Sequence, residues 1–219
     1  MKSVLLLTDS LGYPRIAEDS PLASNTWTYK LARKLKEKYN FYFDIKTGRT
    51  TSEIVKNLSI HFGAYDADIV IIQVGIVDCY PRALRKSELQ ILSRLPVINK
   101  VSKFLVSKYY GGIVRLRNIS YVDEVTFEEN IIKIRDFFAN TKLIVIPIAP
   151  ANNAYCRANP LVKDNIVKYN NILHKVMGDN CVVNIFDELN KELAYVSDNH
   201  HFSSYGHDYT YERVLGVLV

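Results

Sequence analysis

Asp9 and Ser10 follow directly on the apolar run Val4–Leu7, while Asp198 and His201, three residues apart, lie near the other end of the 219-residue chain. A serine hydroxyl becomes a nucleophile when an imidazole takes its proton, and a carboxylate beside the imidazole orients the ring and stabilises its charged form. The Asp-x-x-His spacing lets a single turn supply both groups. A serine after a strand is ordinarily a turn or cap residue. Ser10 carries more weight because ligands of open parallel sheets bind beyond the carboxyl ends of the strands. The segment around His201 concentrates three of the five histidines, His200, His201 and His207. A metal held by Asp198, His200 and His201 would need further ligands that no second cluster supplies. Neither a metal nor a cofactor is expected.

Two other segments fall where strands should end: Thr47-Gly48-Arg49-Thr50-Thr51 and Gly75-Ile76-Val77-Asp78. Taken singly, Gly48 is a turn glycine and Asp78 a cap. Taken together, they belong to one rim if the fold is a parallel sheet. Short β-branched and leucine-rich runs alternating with amphipathic stretches predict that fold. The strands are expected at Val4–Thr8, Phe41–Lys46, Ile69–Val74, Leu143–Ile148 and Val182–Phe186. Helices are expected from about Asn25 or Thr26, with Trp27, Leu31 and Leu35 on one face, over Ser52–His61, Thr126–Asn140 and Leu161–Met177, and after Ser203. About 45 residues, Cys79 to Asp123, separate the third strand from the next core helix, against the usual handful. They read as an insertion of two short helices around Pro96, followed by a turn at Tyr109-Tyr110-Gly111-Gly112.

These residues resemble the blocks of the SGNH (GDSL-type) hydrolases, over nearly the whole length from Thr8-Asp9-Ser10 to His201. The resemblance implies an α/β fold of three layers, α/β/α, with a five-stranded parallel sheet of flavodoxin-like type and a helical insertion after the third strand. The chain is then one domain, 1–219, with the basic insertion at about 79–123. The family's nucleophile falls on Ser10, its Asp-His pair on Asp198 and His201, and its oxyanion-hole backbone donors on Ser10 and Gly48. Two residues depart from the pattern. Thr8 replaces a glycine, and Val77 stands where the family has an asparagine whose amide stabilises the oxyanion. Loss of one such donor costs about 2.7 to 4 kcal/mol in the transition state. The candidate substitutes are Arg82 and Asn152 or Asn153, and Asp9, Asp78 and Arg82 are the candidate substrate-binding residues. The implied function is a serine esterase that removes a small acyl group, acetyl above all, from a carbohydrate or cell-envelope precursor. The alternatives are an acyltransferase using the same triad and a catalytically weakened carbohydrate-binding protein.

Composition sets the surroundings. With 48% hydrophobic and 23% charged residues, the chain can form a sizeable core. Its formal charge of +5 is local: Arg82–Arg117 holds nine Lys and Arg against Glu88 alone, a net +8, and the rest carries −3. That segment suits an anionic substrate or anionic lipid headgroups at the membrane periphery. Nucleic acid is not an expected partner, because no aromatic platform interleaves the cations. Three cysteines, Cys79, Cys156 and Cys181, without metal-type spacing fit reduced thiols and a cytoplasmic location.

Overall fold

Four of the expected runs form parallel strands: β1 (Lys2–Thr8), β2 (Tyr39–Ile45), β3 (Ile69–Gln73) and β4 (Lys142–Ile146), in the order β2-β1-β3-β4. The computed structural model describes residues 1–15, 19–178 and 185–218. Val4–Leu7 of β1 and Ile69–Ile72 of β3 are buried throughout, as continuous apolar runs must be in strands covered on both faces. Among the described residues the sheet has four strands rather than the five expected. Residues 182–184 of the expected strand Val182–Phe186 lie outside the described residues, as does Cys181, and Ile185 and Phe186 begin a turn.

The helices form the outer layers of an α/β/α sandwich. On one side α1 (Trp27–Leu35) packs against α9 (Ser204–Leu218); on the other, α6 (Glu124–Phe137) packs against α2 (Thr51–Asn57) and α8 (Val162–Met177). Thr26 is the N-cap residue of α1, which buries Trp27, Leu31 and Leu35. The Asp123 side chain caps α6 by accepting from Thr126 N, and Phe127, Ile131 and Ile134 form its buried stripe.

Between β3 and α6 run α3 (Ile76–Cys79), α4 (Lys86–Ser93) and α5 (Pro96–Arg117). Pro96 occupies the first turn of α5, where a missing N–H leaves no bond unmade. Tyr109–Gly112 is not the expected turn. The helix continues through it with a kink at Tyr109 (φ −115°, ψ 19°). Two anchors hold that segment: Val114 is buried, and the Tyr110 hydroxyl donates to Pro81 O at 3.0 Å. Tertiary packing thus overrides a cost of about 1 kcal/mol per glycine in a helix.

Register determines where the loops emerge. Thr8 lies opposite Ile45 and Gln73, and Gln73 opposite Ile146, so the four carboxyl ends finish level. In this order the chain reverses direction across the sheet at β1 and β3, the switch point where a crevice opens in such folds. Ser10 follows β1 at that point.

Candidate active site

Ser10 begins a tight 3-10 turn, Ser10–Gly12, capped by Asp9, whose Oδ1 accepts from Leu11 N at 2.9 Å. The turn folds back onto the strand it leaves. A Cβ on Gly12 would stand 2.2 Å from Thr8 Oγ1, so only glycine lets the loop close over Thr8. The threonine in place of the family glycine is accommodated by this contact, and Thr28 Oγ1 secures the loop by donating to Gly12 O at 2.8 Å.

His201 arrives from a turn just before α9. Its Nε2 lies 3.0 Å from Ser10 Oγ, and its Nδ1 lies 2.6 Å from Asp198 Oδ2. The Asp198 Oδ1 accepts from the backbone N–H of His200 and His201, at 2.8 and 2.9 Å. Asn199, left-handed at φ 58°, turns the chain between the two residues, and the Asn152 amide donates to its side-chain oxygen. Gly206 allows the first turn of α9 to close on Ala194 O, which a Cβ would approach to 2.3 Å. His207, one residue on, accepts from Trp27 N through Nδ1 and so satisfies a first-turn donor of α1. Its role is structural.

Ser10 and His201 are only 3% and 7% exposed. Burial lowers the His201 pKa from its ordinary value, against the opposing pull of the Asp198 carboxylate. Burial also pushes Asp198 upward, but the hydrogen bonds from His201 and His200 outweigh it and hold the carboxyl below its usual range. The pair therefore presents a carboxylate and a neutral imidazole with a free Nε2 lone pair at neutral pH, the state a general base needs.

At the same sheet edge, the backbone N–H groups of Ser10, after β1, and Gly48, after β2, make no hydrogen bond among the described residues. Gly48 is left-handed (φ 72°). Its turn is fixed by the buried Arg49 guanidinium, which donates to Asp44 O at 2.6 Å, to the Asp44 carboxylate and to Thr8 O. Val77 is buried in the core and offers no side-chain donor. Asn152 caps α7 (Asn153–Ala158), accepting from Tyr155 N, while Asn153 is exposed at the start of that helix. Asp9 and Asp78 face inward. Asp78 Oδ1 accepts from Thr51 N and Oγ1 at 2.8 and 2.6 Å, tying α3 to the start of α2. The Oδ2 atoms of both acids are buried without a hydrogen-bond partner among the described residues, and burial pushes both carboxyls up to about 7. Among the described residues no group of acids, histidines and cysteines could hold a metal ion.

An arrangement that no local motif announces leads away from His201. Its ring meets His200 edge-on at 4.6 Å, His200 lies 5.4 Å from Tyr155, and Tyr155 stacks on Tyr80 at 5.3 Å. At the far end the Arg82 guanidinium sits between Tyr80 and Tyr121, 4.5 and 4.3 Å from their ring centroids. No hydrogen bond joins it to Ser10 or His201, and its Nε is buried without a partner among the described residues. The tyrosines come from segments far apart in the chain, so only their aromatic type was a signal in the sequence.

No protein-family model and no curated protein matches the chain. Solved structures do. The lipase/acylhydrolase from Enterococcus faecalis superposes with a TM-score of 0.69 at 16% identity, over 100% of this chain and 95% of its own. Axe2, an acetylxylan esterase from Geobacillus stearothermophilus, gives 0.67 at 14% identity, covering 98% and 93%. A putative lipolytic protein of the G-D-S-L family from Desulfitobacterium hafniense gives 0.60 at 12%, covering 99% of both. A parallel sheet with helices on both faces, superposing end to end on these structures, gives the chain the fold of the SGNH (GDSL-type) hydrolases.

Proposed function

We propose that the protein is a serine esterase that removes a small acyl group, most specifically acetyl, from a carbohydrate or envelope precursor. The observation that carries this reading is the continuous relay from Ser10 Oγ through His201 to Asp198, at 3.0 and 2.6 Å. His201 Nε2 takes the Ser10 proton as Oγ forms a bond to the ester carbonyl carbon. The carbonyl oxygen becomes an oxyanion facing the uncommitted N–H groups of Ser10 and Gly48. As the intermediate collapses, the bond to the alcohol oxygen breaks and His201 returns the proton to it. Water, deprotonated by His201, then attacks the acyl-enzyme, and Ser10 recovers its proton.

Size and charge support the substrate class. A cavity of about 10 Å³, whose lining includes Leu11 and His200, the chain neighbours of Ser10 and His201, with Ile76, Ala149 and Tyr155, suits a small acyl group. Arg82, clamped by two tyrosines and with its side chain given no acceptor among the described residues, suits an anionic group on the alcohol portion. Acetylxylan esterases among the structural neighbours act on a carbohydrate ester, in keeping with this class. Val77 favours one second reading, a binding protein with weakened catalysis. Hydrolysis of 4-nitrophenyl acetate separates the two: the esterase turns over, and Ser10→Ala and His201→Ala do not.

A further inference from the structure

The helices α4 and α5 lie against each other as a hairpin whose outer face is apolar. Among the described side chains of α5 only Val114 is buried, and α4 buries none. Tyr110 and Val114 turn toward the body of the protein. On the other side, Ile98 (53% exposed), Val101, Phe104 (65% exposed) and Leu105 recur at helical spacing, with Ile91 and Leu95 beside them. An apolar face of this extent marks a surface meant to be covered.

The charges around it identify the cover. Arg94, Lys100, Lys103, Lys108 and Arg115 make no salt bridge among the described residues, and Glu88, the hairpin's one acid, is taken by Arg117. We propose that this hairpin docks on an anionic lipid surface, its apolar face at the acyl boundary and its cations among the headgroups. Lysine stems long enough to lie along apolar surface while the ammonium reaches outward suit that depth. A second copy of the chain would also cover the apolar residues. A two-fold contact, however, would set these cations against their own copies, a repulsion that an anionic leaflet replaces with attraction. Among the described residues no helix is long and apolar enough to cross a membrane, so the contact is one of lying on the surface. The strand bridge between Arg82 and Ile119 joins the two ends of the hairpin to each other, beside Tyr80 and Tyr121.

Vesicle co-sedimentation of the full chain tests this, independently of whether Ser10 turns over esters. The protein should pellet with vesicles of equal parts phosphatidylglycerol and phosphatidylcholine, stay in solution with pure phosphatidylcholine, and be released by salt. Lys100→Gln with Lys103→Gln should lower vesicle affinity on the order of 30-fold. Phe104→Ser with Leu105→Ser should abolish pelleting, while circular dichroism and 4-nitrophenyl acetate hydrolysis stay at wild-type levels. Failure to pellet with the mixed vesicles overturns the proposal, as does pelleting that neither variant weakens. A dimer in light scattering that Phe104→Ser dissociates, with no vesicle binding, overturns it in favour of self-association.

Discussion

Asp198 holds His201 through both of its oxygens: Oδ2 meets the ring at Nδ1, and Oδ1 accepts the backbone N–H of the same residue. Ring and main chain are thus fixed by one carboxylate, and turning the imidazole would break the Nδ1 hydrogen bond that sets its tautomer. Asp198→Asn retains an oxygen for the backbone donors but loses the charge that stabilises the imidazolium. The kcat for 4-nitrophenyl acetate is expected to fall on the order of 10⁴-fold with little change in KM. Steady-state kinetics of the purified variant check this.

Activity should depend on pH through His201. Its pKa lies below the ordinary 6.5 because burial disfavours the charged ring. The base is active when neutral, so kcat/KM rises with pH through an acid limb whose midpoint lies below 6.5 and is flat from there to neutrality. A pH–rate profile of the wild type gives the midpoint directly. An acid limb centred above 7 would mean that the imidazole of the free enzyme is not held as described.

Much of this site was legible in the sequence, for identifiable reasons. Ser10 and Asp9 follow an unbroken apolar strand, and Asp198 and His201 lie within one turn, so local patterns reveal both halves. The sheet register brings Ser10 to the rim, while Asp198 and His201 reach it from the turn before α9, which packs on α1. The clamp on Arg82 was not legible, because Tyr121 joins Tyr80 and Arg82, and Tyr155 joins Tyr80, only through long-range packing. The helix through Gly111 and Gly112 was missed for a related reason: the anchors Tyr110 and Val114 act through tertiary contacts that propensity does not contain.

The pairing of Thr8 with Gly12 can be tested as a coupling. Gly12→Ala places a methyl group 2.2 Å from Thr8 Oγ1. It should destabilise the protein by about 1–3 kcal/mol through overpacking. In the Thr8→Gly background the same change should cost much less, because the hydroxyl and its Cβ are gone. Denaturant unfolding of the four proteins measures the cycle, and strict additivity would mean that the loop does not close on Thr8.

Arg82 can be assigned by which kinetic constant it moves. As an anchor for an anionic alcohol portion, Arg82→Ala should raise KM for acetyl esters that carry a carboxylate, leaving kcat and the hydrolysis of neutral 4-nitrophenyl acetate unchanged. As the substitute for the oxyanion amide absent at Val77, it should instead lower kcat for every ester, by about 10²–10³-fold. The clamp between Tyr80 and Tyr121 and the absence of any bond to Ser10 or His201 lead us to expect the first outcome.

The central claim is that the Ser10 hydroxyl is activated by His201, and covalent labelling with a fluorophosphonate probe tests it most directly. The wild type should gain one phosphonyl group, located on Ser10 by mass spectrometry of the digested protein. His201→Ala should label far more slowly and Ser10→Ala not at all. A wild-type protein that remains unlabelled, or that carries the label on a residue other than Ser10, would contradict the account.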